Sequence, residues 1–267
     1  MDKKLRTLAL DVGYQKGRPV VNRVSMDLYP GEIIAIIGGN GAGKSTVLKT
    51  ITGQLEKLSG DIRICNRREE ELTEEALAKM VSMVTTERIH PELMSCYEVA
   101  AMGRYPYTGR LGILGEDDKG AVTDALRMVG ASDIATEDFS KISDGQRQRI
   151  MLARAICQDT DILILDEPTS FLDVQFKLDI LSVIKKLAKE RKKAVIMSIH
   201  ELEFVPAMAD KVIGIFNRQV YQIGTPREIL RGENLEIMYG MEKGSGSIME
   251  EGLWQYAHSL ERLICQK

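Results

Sequence analysis

Ile33-Ile34-Ala35-Ile36-Ile37-Gly38-Gly39-Asn40-Gly41-Ala42-Gly43-Lys44-Ser45-Thr46-Val47-Leu48-Lys49-Thr50-Ile51 decides how this chain folds. The short apolar run at its start reads as a buried strand. A G-x-x-x-x-G-K-S turn follows and opens a helix, the context that a phosphate-binding loop requires. Glycines let the backbone curl until successive N–H groups face one anion. The helix beginning near Lys44 adds the positive end of its dipole to the same pocket. Lys44 brings a point charge to the β- and γ-phosphates, and the Ser45 hydroxyl suits Mg²⁺. Gly38, Asn40, Gly41, Ala42, Gly43, Lys44, Ser45 and Thr46 are therefore the candidate phosphate contacts. A glycine-rich turn that merely joins strand and helix does not account for Lys-Ser at that offset. The stretch alone is compatible with ATP or GTP.

Upstream, Leu5 to Leu10 and Val20 to Leu28 alternate apolar and polar residues, as edge or antiparallel strands do. Gly17-Arg18-Pro19 turns the chain between them. Tyr14 lies in that connection, either as a surface aromatic or as a flat ring that stacks on a base. Downstream, Gly53 ends the first helix, and a strand at 60–64, a helix at 74–79 and a buried strand at 80–84 follow. From about 85 to 157 the period-2 signal disappears. Helices are expected at 93–102, 117–129 and 145–157, with a Gly/Pro/Tyr-rich connection of no helical pattern at 103–115.

The α/β pattern returns with Asp161-Ile162-Leu163-Ile164-Leu165-Asp166, apolar enough to be a central parallel strand. A helix at 174–190 carries Leu178, Leu181, Ile184 and Leu187 on one stripe. Strands at 194–199, 212–216 and 220–223 and helices at 201–208, 226–230 and 233–239 complete the body. Gly244-Ser245-Gly246-Ser247 reads as a flexible linker. Beyond it Leu253, Ala257, Leu260 and Ile264 share a helical face, which predicts docking on its own domain rather than on a partner. The expected fold is α/β, with a mostly parallel sheet covered on both faces, an antiparallel β subdomain and an inserted helical lobe at about 86–157. The expected division is a domain over 1–240, then a linker and helix over 241–267.

Composition narrows the function. Across 267 residues, 44% are hydrophobic and 28% charged, ordinary for a globular protein, and the net charge of −3 argues against nucleic acid as partner. Cys65, Cys96, Cys157 and Cys265 form no C-x-x-C grouping and read as thiols in a reducing compartment. No signal peptide is apparent, and the apolar runs are too short to cross a bilayer. A cytoplasmic chain is expected, with any membrane role supplied by a separate partner.

Asp166-Glu167 ends the apolar strand. An acid there can hold Mg²⁺ opposite Ser45, and the adjacent Glu167 can orient or deprotonate an attacking water. A GTPase would carry a base-reading Asn-Lys-x-Asp element, and none is present. Ile142-Ser143-Asp144-Gly145-Gln146 begins as a capping box. A capping box alone does not predict Gln146-Arg147-Gln148-Arg149 and then Leu152-Ala153-Arg154-Ala155. With these residues the sequence resembles an ATP-binding cassette (ABC) ATPase, a P-loop NTPase with a RecA-like lobe, whose signature is usually Leu-Ser-Gly-Gly-Gln. The resemblance runs over roughly 5–240 in order: Walker A at 38–46, signature at 142–146, Walker B at 162–167, D-loop Ser170-Phe171-Leu172-Asp173, and switch histidine His200.

The resemblance implies ATP and Mg²⁺ as ligands and a head-to-tail homodimer, with Walker A of one copy facing the signature helix of the other. It implies catalytic roles for Glu167, His200 and Lys44, and Mg²⁺ binding by Ser45 and Asp166. It makes Tyr14 the adenine-stacking ring and adds Ser143, Gly145, Gln146 and Asp173 to the nucleotide contacts. Gly103-Arg104-Tyr105-Pro106-Tyr107, Gly224-Thr225-Pro226 and Leu235 to Tyr239 are similar to the ATPase subunits of importers for ferric siderophores, haem and cobalamin. That similarity implies a membrane permease, an extracytoplasmic substrate-binding protein and a peripheral place on the inner face of the membrane. A soluble non-transport cassette ATPase or an exporter subunit is the alternative. The chain departs from the family at Thr86, where a glutamine is usual, and at Asp144, where the signature has glycine. Glu87 could take over from that glutamine, or the loop could serve only the membrane partner. For Asp144, a side chain turned away from the nucleotide would avoid repulsion, with Gly145 keeping the backbone approach open.

Overall fold

A computed structural model describes residues 2–265 except 86, 88–90, 92, 110, 111 and 171. Strands β1 (Leu5–Val12) and β2 (Val21–Leu28) pair antiparallel, and β3 (Ile33–Ile37) leads into α1 (Lys44–Ile51). Then come β4 (Ser59–Ile64), β5 (Arg67–Arg68), α2 (Glu74–Ala78) and β6 (Val81–Val84). Helices α3 (Cys96–Ala101), α4 (Glu116–Met128) and α5 (Asp144–Cys157) pack on one another as the expected helical lobe. The chain returns through β7 (Ile162–Asp166), α6 (Val174–Lys189), β8 (Ala194–Ser198), α7 (Val205–Met208), β9 (Lys211–Phe216) and β10 (Gln219–Gly224). Helices α8 (Pro226–Ile229), α9 (Gly232–Tyr239) and α10 (Ser245–Cys265) close it.

Among the described residues the strands form one sheet in the order β5-β4-β1-β2-β10-β9-β3-β8-β7-β6. From β9 to β6 all neighbours run parallel, while β1, β2, β4 and β5 are antiparallel. One pair, Gln219 with Asn22, joins the two parts. Strand β3 shows why the run 33–37 carries no polar residue. Ile33, Ala35 and Ile37 enter the core beneath the helices α3–α7, whereas Ile34 and Ile36 enter the core shared with α1, β1, β2 and β4. Side chains alternate across a strand, so a strand covered on both faces must be apolar throughout. The sheet therefore holds the ends of β3, β7 and β8 side by side at one edge of the core.

Several expectations change. The first strand extends to Val12. The helix expected from 93 starts only at Cys96, because Ser95 and Glu98 form a capping box there. The segment 103–115 is not devoid of helix: Met102–Tyr107 forms a 3₁₀ turn. A Cβ at Gly103 would lie 2.1 Å from the Arg154 carbonyl oxygen, so this turn needs glycine to rest on α5. The span 201–208 divides into a 3₁₀ turn at Leu202–Phe204 and α7.

The linker reading of 244–247 is the largest correction. Ser245 already belongs to α10, and a Cβ at Gly246 would lie 2.1 Å from the Gly232 carbonyl oxygen. Glu236 Oε1 also accepts from the Gly244 N–H at 2.6 Å, and Glu250 Oε2 accepts from the Gly232 N–H at 2.6 Å. The glycines there permit close helix packing rather than flexibility. Leu253, Ala257, Leu260 and Ile264 are buried, and α10 lies on α6, α7 and α9 of its own chain. Leu260→Ala is expected to cost about 2–5 kcal/mol of stability. The urea midpoint measures it, and an unchanged midpoint would mean that α10 is not part of the cooperative core.

Candidate nucleotide site

The loop after β3 has little steric freedom. At Gly38, φ is +149°, and a Cβ would lie 2.4 Å from the Ile215 carbonyl oxygen. At Gly43, φ is +102°, and a Cβ would lie 2.4 Å from Val21 Cγ2. No side chain caps α1, whose N-cap is Gly43. The first N–H groups of a helix lack intrahelical partners, so this end is built to receive an anion. Lys44 is only 4% exposed, and its Nζ donates to the carbonyls of Gly38 (3.0 Å) and Gly39 (3.2 Å). Burial holds its ammonium pKa below the usual lysine value, although Glu167 and Asp166 oppose the shift. The loop opens into a cleft of about 320 Å³ lined by Tyr14, Val20, residues 40–46, Glu167 and His200.

The floor of the cleft comes from the ends of β7 and β8, where Asp166 stands opposite Ser198 in the parallel ladder. Asp166 is 2% exposed, and its Oδ1 accepts from Ser45 Oγ at 3.0 Å and from Ser198 Oγ at 2.7 Å. Ser198 Oγ in turn accepts from the Glu167 N–H at 2.9 Å. Glu167 has φ +48°, an uncommon conformation for a non-glycine residue that persists only where surrounding contacts impose it. Its carboxylate is hydrogen-bonded to His200 Nε2 and accepts from Ser170 Oγ at 3.1 Å. Next to it, fully buried Thr169 donates to Glu201 at 2.9 Å, and Lys177 pairs with Glu201 at 2.8 Å. Burial pushes the Glu201 carboxyl up, but these two partners outweigh it and hold it below the usual range.

Lys44, Ser45, Glu167 and His200 line one cleft, Asp166 lies behind it bonded to Ser45, and Tyr14, 67% exposed, stands at the same cleft. Ser198 was not singled out by sequence. Its only signal is a hydroxyl ending the otherwise apolar run Ala194–Ser198, directly before Ile199-His200.

Ser143, Gly145, Gln146 and Asp173 do not line the cleft. Ser143 and Gln146 form the capping box of α5, and Asp173 caps α6 by accepting from the Phe176 N–H at 3.0 Å. Gly145 is buried, and a Cβ there would lie 3.1 Å from Phe176 Cγ. Its small size also makes room for Phe176. Asp144 is drawn to its own helix by Arg147 Nη1 at 2.8 Å, whose guanidinium stands 5.5 Å from the centre of the Phe139 ring. Thr86 and Phe171 lie outside the described residues. Glu87 pairs with Lys49 on α1 and does not line the cleft.

A phosphate loop on the end of a central parallel strand, with an acid on the end of another strand beside its serine, defines a P-loop nucleoside triphosphatase. Within that class, the family model of ABC transporters matches residues 21–170. An uncharacterised ABC transporter ATP-binding protein of Methanocaldococcus jannaschii is 39% identical over 91% of this chain and 83% of its own. The petrobactin import ATP-binding protein of Bacillus anthracis is 31% identical over 91% of this chain and 88% of its own. Among solved structures, a metal-chelate type ABC transporter in an inward-facing conformation superposes with a TM-score of 0.79 at 28% identity, covering 90% of each chain. This chain belongs to the ABC transporter family, as an ATP-binding subunit that hydrolyses ATP to drive transport. No helix of the described residues is long and apolar enough to cross a membrane.

Ser198→Ala removes one donor to Asp166 and the acceptor of the Glu167 N–H. Leaving buried polar atoms unpaired is expected to cost about 1–3 kcal/mol of stability. Misplacing Glu167 is expected to lower ATP hydrolysis by roughly tenfold, equivalent to about 1.4 kcal/mol in the barrier. Steady-state turnover and urea denaturation read the two effects separately.

Proposed function

We propose that this chain energises an importer for a metal chelate, of the ferric siderophore, haem or cobalamin class, and works as a head-to-tail dimer on separate membrane permease subunits. An extracytoplasmic substrate-binding protein would deliver the chelate. The observation that carries the dimer is the division of the site. Lys44, Ser45, Glu167 and His200 gather in one cleft with Asp166 bonded to Ser45 behind it, whereas the α5 N-terminus with Ser143 stands apart and exposed. A second copy would bring its Ser143 to the open side. The capping box uses Ser143 Oγ as an acceptor from the Gln146 N–H, which leaves the O–H proton free to donate to a phosphate oxygen. Capping and nucleotide contact are compatible in the same hydroxyl. Import of a chelate is supported by the petrobactin import relative and by the metal-chelate type transporter.

In this reading, incoming phosphates take the Lys44 ammonium from the Gly38 and Gly39 carbonyls, and the N–H groups at the start of α1 face the same anion. Glu167 accepts the proton of the attacking water, held in place by Ser170 and His200. His200, through its ring nitrogen, keeps the carboxylate turned into the cleft. Ser45 Oγ and Asp166 Oδ1, 3.0 Å apart, are hard oxygen donors of the kind Mg²⁺ takes. Among the described residues no cluster of three or more metal-ligating acids, histidines or cysteines occurs, as suits an ion that shares its ligands with phosphates and waters. When bound there, Mg²⁺ would neutralise charge on the phosphate oxygens.

Glu167→Gln is expected to slow hydrolysis by about 10²–10⁴-fold while ATP binding persists. Wild-type turnover in that variant would remove Glu167 from the role of base. The importer reading is tested by purifying the tagged full chain from detergent-solubilised membranes. A many-span protein is expected to come with it, and hydrolysis by the reconstituted assembly is expected to rise with one of the three chelate classes. Recovery of soluble partners alone, or no stimulation by any class, would overturn it.

A further inference from the structure

Helix α10 meets its own chain through the face made by Leu253, Ala257, Leu260 and Ile264. A second apolar face runs along its opposite side. Ile248 is 76% exposed, Tyr256 54% and Leu263 45%, and by the helical repeat the three share one stripe with the exposed Gly252 and Ser259. A single exposed apolar side chain is ordinary on a surface, but a row of them over about four turns marks a contact. Gly252 is a second sign. Glycine inside a helix costs stability relative to alanine, so it calls for a neighbour that needs the space. Gly246 has that neighbour in Gly232. At Gly252, among the described residues, nothing lies within 4 Å of where a Cβ would stand. The chain's own packing gives no reason for this glycine.

The pattern of the stripe favours one occupant, a second copy of itself. Laid antiparallel on that copy, it sets Ile248 against Leu263 and Gly252 against Ser259, so that small residues meet where the two helices approach. Glu251 and Arg262 stand on one edge of the stripe, three turns apart. A two-fold axis across an antiparallel pair brings each Glu251 to the Arg262 of the other copy, whereas a parallel pair would leave them on opposite edges. We infer that α10 is a self-association surface, pairing antiparallel with α10 of a second copy about a two-fold axis and without nucleotide. Helix α10 rests on α6, whose first turn is capped by Asp173, so this surface and the end of α6 expected to face a second copy share one helix. One consequence rests on the head-to-tail dimer of the proposed function. Paired C-terminal helices would keep two copies at high local concentration after ATP leaves. The self-association itself does not depend on that reading.

Sedimentation of the full chain without nucleotide or Mg²⁺ is expected to show a concentration-dependent dimer. Gly252→Gln is expected to raise the dimer Kd at least about tenfold, as loss of a central contact does. The melting temperature of the dilute monomer is expected to stay equal or rise in that variant, because glutamine favours helix. Glu251→Arg and Arg262→Glu are each expected to weaken the dimer, and the double variant to restore it. These side chains cannot reach each other along one helix, so rescue reports a contact between copies. A chain that is monomeric at every concentration without nucleotide would overturn the inference, and dimerisation on adding ATP would then leave the head-to-tail reading standing. A wild-type Kd in Gly252→Gln would overturn it, as would a double variant no tighter than the single ones. Loss of the many-span protein from the membrane pull-down in Ile248→Lys, with the free chain monomeric, would assign the face to the membrane partner and overturn it too.

Discussion

One carboxylate constrains the arrangement of this molecule. Asp166 is almost completely buried at the end of β7, and an ionised group there is tolerated only if donors surround it. The donors come from two other elements, Ser45 at the start of α1 and Ser198 at the end of β8. Satisfying that single oxygen therefore sets where the loop helix stands relative to two central strands. The same Ser198 oxygen receives the Glu167 N–H and supports a backbone conformation that the residue would otherwise avoid. Hydrogen bonding at the strand ends thus positions Asp166 and Glu167 together.

Steric exclusion does the complementary work on the backbone. Gly38 and Gly43 allow the loop to lie against β9 and β2 at distances no Cβ permits. Gly145 lets Phe176 lodge under the first turn of α5, so that this turn is tied to the one capped by Asp173. Arg149 reinforces the tie, pairing with Asp179 at 2.7 Å and standing 4.6 Å from the centre of the Phe176 ring. The two helix ends placed outside the cleft form a coupled unit.

The Asp144 departure from the family pattern is accommodated locally. The charge of Asp144 is answered by Arg147 one turn later, in the first turn of a helix where an acid is favourable. Glu87 is engaged with Lys49 on α1 rather than with the cleft, so a part in catalysis would first require that exposed ion pair to open. Exposed pairs of this kind are worth little, about 0–1 kcal/mol, and such a change would meet no large barrier.

What the sequence determined by itself is local. The strand-loop-helix from Ile33 to Ile51, the acids closing the apolar run 161–166, the helical stripe of 174–190 and the buried face of the last helix follow from periodicity and from chemistry within a few residues. The antiparallel and parallel parts of the sheet were legible for the same reason, since alternation and continuous apolarity record whether one face or both are covered. Only the tertiary structure decided what depends on partners far along the chain. Ser198 matters because the β7–β8 register sets it opposite Asp166, and Gly145 because Phe176, thirty-one residues on, needs its space. Gly246 resembles a linker residue until Gly232 is seen against it. Propensity is a property of a stretch of sequence. Close approach exists only once distant stretches have met.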